Sequence, residues 1–166
     1  LNRIGSEDNR LESAPLLRFI IAGQLRRDFI LLPTGTGHLD TPGGSLLYAA
    51  AGLGLWGANA GLIARVGEDY PQEWIEEAAE RGFDVRGIKI LPQELDLRWF
   101  AAYPNGETRQ VSNAVSHFAR LGISFPKSLL GYIEPNQSPD SRTQATDRTI
   151  RLNDFPDDYL DATAAH

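Results

Sequence analysis

The chain of 166 residues contains no cysteine and no methionine. Without cysteine it has no disulfide framework, no thiolate metal site and no cysteine nucleophile. Because no methionine stands at the first position, we expect that something is removed or left out at the N-terminus. The longest apolar segment, residues 45–56, is interrupted by glycines and is shorter than the roughly 20 residues that cross a bilayer. The sequence therefore predicts no membrane partner, and a cytoplasmic location is the expectation for a chain that lacks cysteine.

Positive charge is also scarce. Sixteen Lys and Arg against 22 Asp and Glu give a formal net charge of −6, and no basic cluster interrupts the sequence. A nucleic-acid-binding domain normally carries a basic face, so nucleic acid is not an expected partner. The three histidines (His38, His117 and His166) stand alone, without metal-ligand spacing. The sequence therefore predicts no metal site.

The first half of the chain reads as alternating strands and helices. Residues 1–15 are polar and charged without an apolar period, and they predict a flexible extension. Residues 17–23 form a short apolar run closed by glycine, which is typical of a buried parallel strand. Residues 45–56 carry apolar side chains all round a helical wheel, and residues 60–66 form the next apolar run. A strand, a helix and a strand in this order predict a parallel sheet.

The second half begins with a helix and a hairpin. Asp69 and Gly82 have the positions of an N-cap and a stop for an amphipathic helix. Apolar and polar residues alternate over 97–103, as in a strand with one buried face. The turn Asn105-Gly106 predicts a hairpin, with residues 108–111 as its return strand.

The C-terminal part changes in composition. Residues 134–153 are dominated by Pro, Asn, Gln, Ser, Asp, Arg and Thr, and they predict a polar loop. Residues 154–166 predict the start of a further element that the chain does not complete. The domain organisation expected from these patterns is therefore an α/β substrate-binding part over residues 16–133, flanked by the extension and the loop.

Several motifs occur in the order found in a known family. Pro42-Gly43-Gly44 precedes an Ala- and Gly-rich helix, the next strand runs to Val66-Gly67-Glu68-Asp69, and a helix ends at Gly82-Phe83-Asp84-Val85. In this arrangement the sequence resembles the N-terminal half of the ribokinase-like (PfkB) carbohydrate kinases. The resemblance implies a three-layer α/β fold with a mostly parallel sheet. It also implies a small β-sheet lid, formed here by residues of about 28–41 and 96–111.

The resemblance implies a function for the full-length protein. It would be an ATP-dependent kinase that transfers the γ-phosphoryl group to a hydroxyl of a sugar or related polyol, with ATP and Mg as cofactors. The lid could pair two subunits into a homodimer, because an open sheet leaves free edges.

Six residues are the candidates for contact with the substrate. Gly43 and Gly44 lack Cβ atoms, so their backbone could approach a sugar closely and open a helix whose amides face it. The resemblance implies that Asp28 accepts hydrogen bonds from two sugar hydroxyls, a task that suits an acceptor-only carboxylate. Tyr48 stands where ribokinase has an asparagine, which argues against ribose. Arg98 and Phe100 would share the lid face over the substrate.

Catalytic residues are not predicted in this chain. The family uses a Gly-Ala-Gly-Asp-like segment, in which the Asp is the base and backbone amides stabilise the transferring phosphoryl group. Residues 132–166 contain no glycine and so offer no such segment. We therefore expect this chain to bind no cofactor and to be inactive by itself. Two alternatives stay open, a non-catalytic sugar-binding or interaction protein of the same fold and a nucleoside kinase.

Overall fold

The structure of the chain, a computed structural model, describes residues 17–134 and 144–166. The predicted extension at residues 1–15 and the middle of the predicted loop at residues 134–153 lie outside the described residues. Within the described part the strands are β1 (Phe19–Ala22), β2 (Arg26–Leu31), β3 (Gly37–Gly43), β4 (Ala60–Gly67), β5 (Asp84–Leu91), β6 (Arg98–Ala102) and β7 (Ala164–Ala165). The α-helices there are α1 (Ser45–Gly54), α2 (Gln72–Glu80) and α3 (Ala114–Leu121), with 3-10 turns at Lys127–Leu129, Leu152–Asp154 and Asp157–Asp161.

The main sheet is parallel, with the strand order β5-β4-β1-β7. Its central strand β4 is the apolar run predicted as a buried strand, and seven of its eight residues are buried. Both faces of such a strand must be covered, which explains why its sequence is continuously apolar rather than alternating. The predicted parallel sheet is confirmed.

Two layers cover the main sheet. Helices α1 and α2 pack on one face, through residues that include Leu46 and Ala78. The other face is covered by the C-terminal segment, whose Tyr159 is fully buried against Ile20 and Ile63. A Cβ on Gly61 would lie 2.6 Å from the Tyr159 ring, so this glycine makes room for the aromatic side chain. The sheet is therefore the middle of three layers.

A second, smaller sheet has the strand order β3-β2-β6. Strand β3 runs antiparallel to β2, whereas β6 runs parallel to it. Phe29 and Phe100 are register partners on one face, where Phe118 of α3 covers them. A mixed α/β fold with a parallel sheet and a small second sheet is the fold class expected from the sequence, and it is confirmed.

Two local expectations differ from the structure. The return strand predicted at residues 108–111 forms only a single bridge, between Ala102 and Gln110. Asn105 Oδ1 accepts hydrogen bonds from the amides of Glu107 and Thr108, which are therefore not available for strand pairing. Asp69 does not cap α2, because its carboxylate accepts from the Leu95 amide at 2.8 Å. Beyond the predicted polar loop the chain forms β7, which pairs in parallel with β1. No helix among residues 17–134 and 144–166 has the length and apolar character needed to cross a membrane.

Candidate functional site

The site is centred on Asp28, a carboxylate inside the protein. Asp28 lies in the middle of β2 and is only 1% exposed. Neither of its carboxylate oxygens has a hydrogen-bond partner within the described part of the chain. Its nearest charge is Arg26, whose Nε lies 3.4 Å from Oδ1. Buried polar groups are normally hydrogen-bonded, so a bare carboxylate in this position calls for a functional explanation.

Burial and charge act on this carboxylate in opposite directions. Burial raises the pKa of Asp28 above its usual value, because the charged form loses hydration. The positive charge of Arg26 and the nearby Tyr48 hydroxyl oppose this rise in pKa. No hydrogen bond of normal geometry joins either of these side chains to the Asp28 carboxylate. The carboxylate is thus short of donors, and a ligand that brought hydroxyl groups to it would supply them.

Gly43 makes room for the Asp28 carboxylate. A Cβ built on Gly43 would lie 2.0 Å from Oδ2 and 2.2 Å from Cγ of Asp28. Both distances are far shorter than any van der Waals contact, so a larger residue at this position would push the carboxylate away. The glycine at position 43 is therefore explained by its contact with Asp28, the other predicted site residue.

Gly44 stands immediately before α1 and contacts the loop between β1 and β2. Its φ of 103° lies in the region that favours glycine, and a Cβ there would lie 2.2 Å from the Gln24 carbonyl oxygen. The start of α1 also contacts this loop, because the Leu46 amide donates to that same carbonyl and the Gln24 amide donates to Ser45 Oγ. Gly44 therefore allows the start of α1 to contact the β1–β2 loop. The Leu46 amide already donates to the Gln24 carbonyl, rather than facing a ligand.

Two tyrosines lie near Asp28. Tyr48 projects from the first turn of α1 and is 62% exposed, so it is open to solvent and to ligands. Tyr70 is buried, and its hydroxyl has no partner within the described part of the chain. Burial together with the charge of Asp28 raises the pKa of Tyr70, which keeps the phenol protonated and able to donate.

Arg26 and Trp99 lie on the same face of the second sheet as Asp28. Trp99 is the register partner of Asp28, and alternate residues of a strand share a face, so Arg26 lies on that face too. The guanidinium of Arg26 stacks 4.4 Å from the centroid of the Trp99 ring. The stack holds a positive charge over the carboxylate without forming a direct hydrogen bond to it.

The structure does not bring Phe100 to Asp28, and the Arg98 guanidinium is held by other partners, which corrects the expectation that both side chains face the substrate from the lid. Phe100 is fully buried on the opposite face of the second sheet, beneath Phe118. Arg98 bonds the Asp96 carboxylate and the carbonyls of Ser128 and Leu130. Period-two alternation correctly grouped these residues on one face, but the chain covers that face with α3 and the segment after it.

Four polar atoms of Asp28 and its neighbours have no hydrogen-bond partner within the described part of the chain: both Asp28 oxygens, Arg26 Nε and the Tyr70 hydroxyl oxygen. They combine an anionic acceptor with two donors, which is the set needed to bind a compound with neighbouring hydroxyl groups. Sequence reasoning found Asp28 and Gly43 but missed Arg26, Tyr70 and Trp99. The period-two spacing from Arg26 to Asp28 was available as a signal for the first of these, whereas the other two depend on contacts distant in sequence.

The described residues do not fit ATP or Mg. Among residues 17–134 and 144–166 no group of three or more His, Asp or Glu side chains could hold a metal ion. Residues 132–166 lack the glycines of a phosphate-binding loop.

One known kinase is similar in sequence to part of this chain. A cytidine kinase of Thermococcus kodakarensis is 32% identical over 77 residues, a match that covers 46% of this chain and 27% of the relative. No family model matches the sequence.

Solved structures of kinases are similar as well. A ribokinase of Cryptococcus neoformans, in complex with ADP, is 16% identical with a TM-score of 0.47 and covers 57% of this chain and 33% of that one. A PfkB protein from a Polaromonas species is 18% identical with a TM-score of 0.48 and covers 58% and 34%. The resemblance expected from the sequence is confirmed, and the matched segment spans about a third or less of these relatives.

Proposed function

We propose that this chain binds the hydroxyl-bearing substrate of an ATP-dependent kinase, a sugar or related polyol, through Asp28. The observation that carries the proposal is the buried Asp28 carboxylate, which lacks any hydrogen-bond partner in the described part of the chain and lies against Gly43. Burying a carboxylate that accepts no hydrogen bond costs several kcal/mol, and the Arg26 charge at 3.4 Å offsets that cost only in part. Two hydroxyl groups that donate to this carboxylate offset that cost, at about 1.5–3 kcal/mol for each hydrogen bond.

Entry to the site requires side-chain movement, because Asp28 is 1% exposed. Arg26 is held at the edge of this site by its stack on Trp99 and by its 3.4 Å approach to Asp28. Its Nε donates no hydrogen bond to any residue in the described ranges. Rotation of an arginine between rotamers is fast and costs little. In this proposal the substrate displaces Arg26 from Asp28 and takes its place beside the carboxylate.

A nucleoside is the second candidate for the substrate. The identity of 32% over 77 residues to a cytidine kinase favours it. The ribose of a nucleoside carries two neighbouring hydroxyl groups, and these would donate to the two Asp28 oxygens in the same way. Tyr48 lies beside this point and is 62% exposed, so its ring could stack on a base or on a sugar. A non-catalytic binding protein on the same fold remains the third alternative.

Calorimetric titration of the 166-residue chain with a panel of sugars, polyols and nucleosides tests the proposal. We expect one class to bind, and we expect Asp28→Asn to weaken that binding about 10- to 100-fold, the equivalent of roughly 1.4–2.8 kcal/mol. Asp157→Asn, which removes an exposed carboxylate far along the chain, is the matched control and should leave the affinity unchanged. Equal affinities for wild type and Asp28→Asn would reject the role of Asp28.

The kinase activity belongs to the full-length protein in this proposal. The chain of 166 residues should therefore bind substrate without phosphorylating it when ATP and Mg are added. Transfer of phosphate from labelled ATP to a bound substrate by the purified chain would contradict this part of the proposal. A longer protein that binds the same compound without phosphorylating it would favour the non-catalytic alternative.

A further inference from the structure

A cavity lined by arginines includes Arg26, whose Nε lies 3.4 Å from Asp28. It has a volume of about 100 Å³ and lies between the β1–β2 loop and the start of β6. Its walls include Trp99 and four arginines, Arg26, Arg65, Arg98 and Arg148, and none of the described residues that line it is acidic. It begins at Gly23, directly after the carboxyl end of β1. The carboxyl ends of parallel strands are where ligands bind in open α/β sheets.

The four arginines are not equally occupied. Arg98 bonds Asp96 and two carbonyls, and Arg65 pairs with Asp154 at 2.9 Å. Among the residues that the structure describes, Arg26 Nε has no hydrogen-bond partner. Arg148 is an exposed residue whose NH2 donates to the backbone carbonyl of Asp96. Arg26 and Arg148 therefore retain hydrogen-bond donors for a ligand. Arg65 and Arg98 contribute positive charge to the walls of the cavity.

Arginine suits one class of ligand in such a place. Its planar guanidinium binds carboxylate and phosphate oxygens in pairs, and these charge-assisted hydrogen bonds are stronger than neutral ones. The Trp99 ring holds the Arg26 guanidinium in place from the side. The cavity has room for one carboxylate or phosphoryl group but is smaller than a complete sugar.

We propose that this cavity binds an anionic group, a carboxylate or a phosphate, carried by the same hydroxyl compound that Asp28 holds. Arg26 connects the two places, since it lines the cavity and lies 3.4 Å from Asp28. Displacement of Arg26 from Asp28 by the substrate hydroxyls turns its guanidinium to the anionic group. The inference rests on the proposed function only in assigning the anion and the hydroxyls to one molecule.

The first arm of the test does not depend on that assignment. The 166-residue chain is titrated with inorganic phosphate and with acetate at constant ionic strength, and binding is followed by calorimetry and by amide NMR shifts around Gly23. We expect at least one anion to bind, with affinity reduced tenfold or more by Arg148→Gln and by Arg26→Gln. Arg81→Gln, whose side chain is 73% exposed outside the cavity, should bind as wild type does. No binding of either anion, or equal binding by wild type and Arg148→Gln, overturns the proposal.

The second arm compares matched compounds with and without an acidic group. Gluconate is compared with glucitol for the carboxylate, and glucose 6-phosphate with glucose for the phosphate. We expect one anionic compound to bind at least tenfold more tightly than its neutral parent. Arg148→Gln should reduce that advantage to threefold or less without changing the affinity of the neutral parent.

The two arms separate the two proposals. Anion binding that depends on Arg148, without binding of any hydroxyl compound, supports the cavity as an anion site and rejects the role proposed for Asp28. Binding of neutral polyols that depends on Asp28, without any anion effect, supports the proposed function and rejects the anion site. Circular dichroism of each variant establishes that it is folded, so a loss of affinity reports on the site.

Discussion

The Asp28 carboxylate lies directly against the backbone of Gly43, on the adjacent strand β3. A Cβ on Gly43 would lie 2.0 Å from Oδ2 of Asp28, so the position of the carboxylate depends on the missing side chain. The two residues are 15 positions apart in sequence, and the antiparallel pairing of β2 with β3 brings them together. This contact is the core of the candidate site and determines how the site responds to mutation.

Replacing Gly43 by alanine should damage the site through Asp28. The new methyl group must displace the carboxylate from its place, and we expect ligand affinity to fall at least tenfold together with a loss of stability of about 1–3 kcal/mol from overpacking. Calorimetric titration and denaturant unfolding measure the two effects. Gly52→Ala is the matched control: a Cβ there meets no atom within 4 Å, and alanine favours a helix, so affinity should hold and stability should rise slightly. Unchanged affinity in Gly43→Ala would contradict the role of the contact.

The stability of the ligand-free protein should carry a pH-dependent contribution from Asp28. Burial raises the pKa of Asp28 in the folded state above the unfolded value near 3.8. Its contribution is therefore fully present below that unfolded value and is lost as the pH rises through the folded pKa, because the folded state must then bury a charge. Relative to wild type, Asp28→Asn should become more stable as the pH rises from 4 to 7. Urea unfolding at several pH values measures this difference, and a difference that is constant with pH would contradict it.

His117 should destabilise the fold at acidic pH. It lies on α3, is 6% exposed and contacts the Phe100 ring, with centroids 5.8 Å apart. Burial and the nearby charge of Arg120 lower the pKa of His117 in the folded state. Its contribution is therefore present above the unfolded pKa and is lost as the pH falls through the folded pKa.

Replacement of His117 by glutamine tests this expectation. As the pH falls from about 7.5 to 5, the free energy of unfolding of His117→Gln should rise relative to that of wild type, because only wild type must then keep a histidine neutral in the fold. Thermal unfolding recorded across this range provides the comparison. Parallel profiles for the two proteins would show that protonation of His117 does not affect α3.

The Arg65–Asp154 ion pair should hold the C-terminal segment on the main sheet. The two side chains are 8% and 3% exposed and lie 2.9 Å apart, and Asp154 Oδ2 also accepts from the Arg151 amide. Breaking a buried pair leaves one charge without compensation, so Asp154→Asn should cost about 3–5 kcal/mol. Denaturant unfolding measures the loss.

An exposed ion pair is the control for this prediction. Glu77 and Arg81 lie 3.8 Å apart on the surface of α2, with side chains 53% and 73% exposed, and exposed pairs contribute about 0–1 kcal/mol. Glu77→Gln should therefore change stability far less than Asp154→Asn. A cost below about 1 kcal/mol for Asp154→Asn would mean that the segment does not depend on the pair. Should Asp154→Asn fail to fold, the double variant Arg65→Met with Asp154→Leu should recover a folded protein.

The sequence was sufficient to predict the parts of the fold that follow from local pattern. The continuous apolar run of β4 indicated a strand covered on both faces, and glycine at positions 43 and 44 marked a tight backbone approach. Alternation correctly placed Arg98 with Phe100 on one face of β6. It could not show which face is covered by α3, because that depends on a helix that follows in the chain.

Other features of the site depend on long-range pairing. Trp99 reaches Asp28 only through the parallel register of β6 with β2, across about 70 residues of intervening chain. Tyr70 reaches it because residues 93–97 pack against the end of β4, where Asp69 accepts from the Leu95 amide. No periodicity within one segment carries this information, and both residues were missed for that reason.

A crystal structure of the 166-residue chain with the tightest-binding compound from the titration panel tests the central claim most directly. The account predicts two ligand hydroxyl oxygens within about 2.5–3.0 Å of Oδ1 and Oδ2 of Asp28, with the Arg26 guanidinium turned away from the carboxylate. A ligand bound elsewhere, for example in the groove between α1 and α2 that Leu47, Trp74 and Phe83 line, with both Asp28 oxygens still unpartnered, would contradict it.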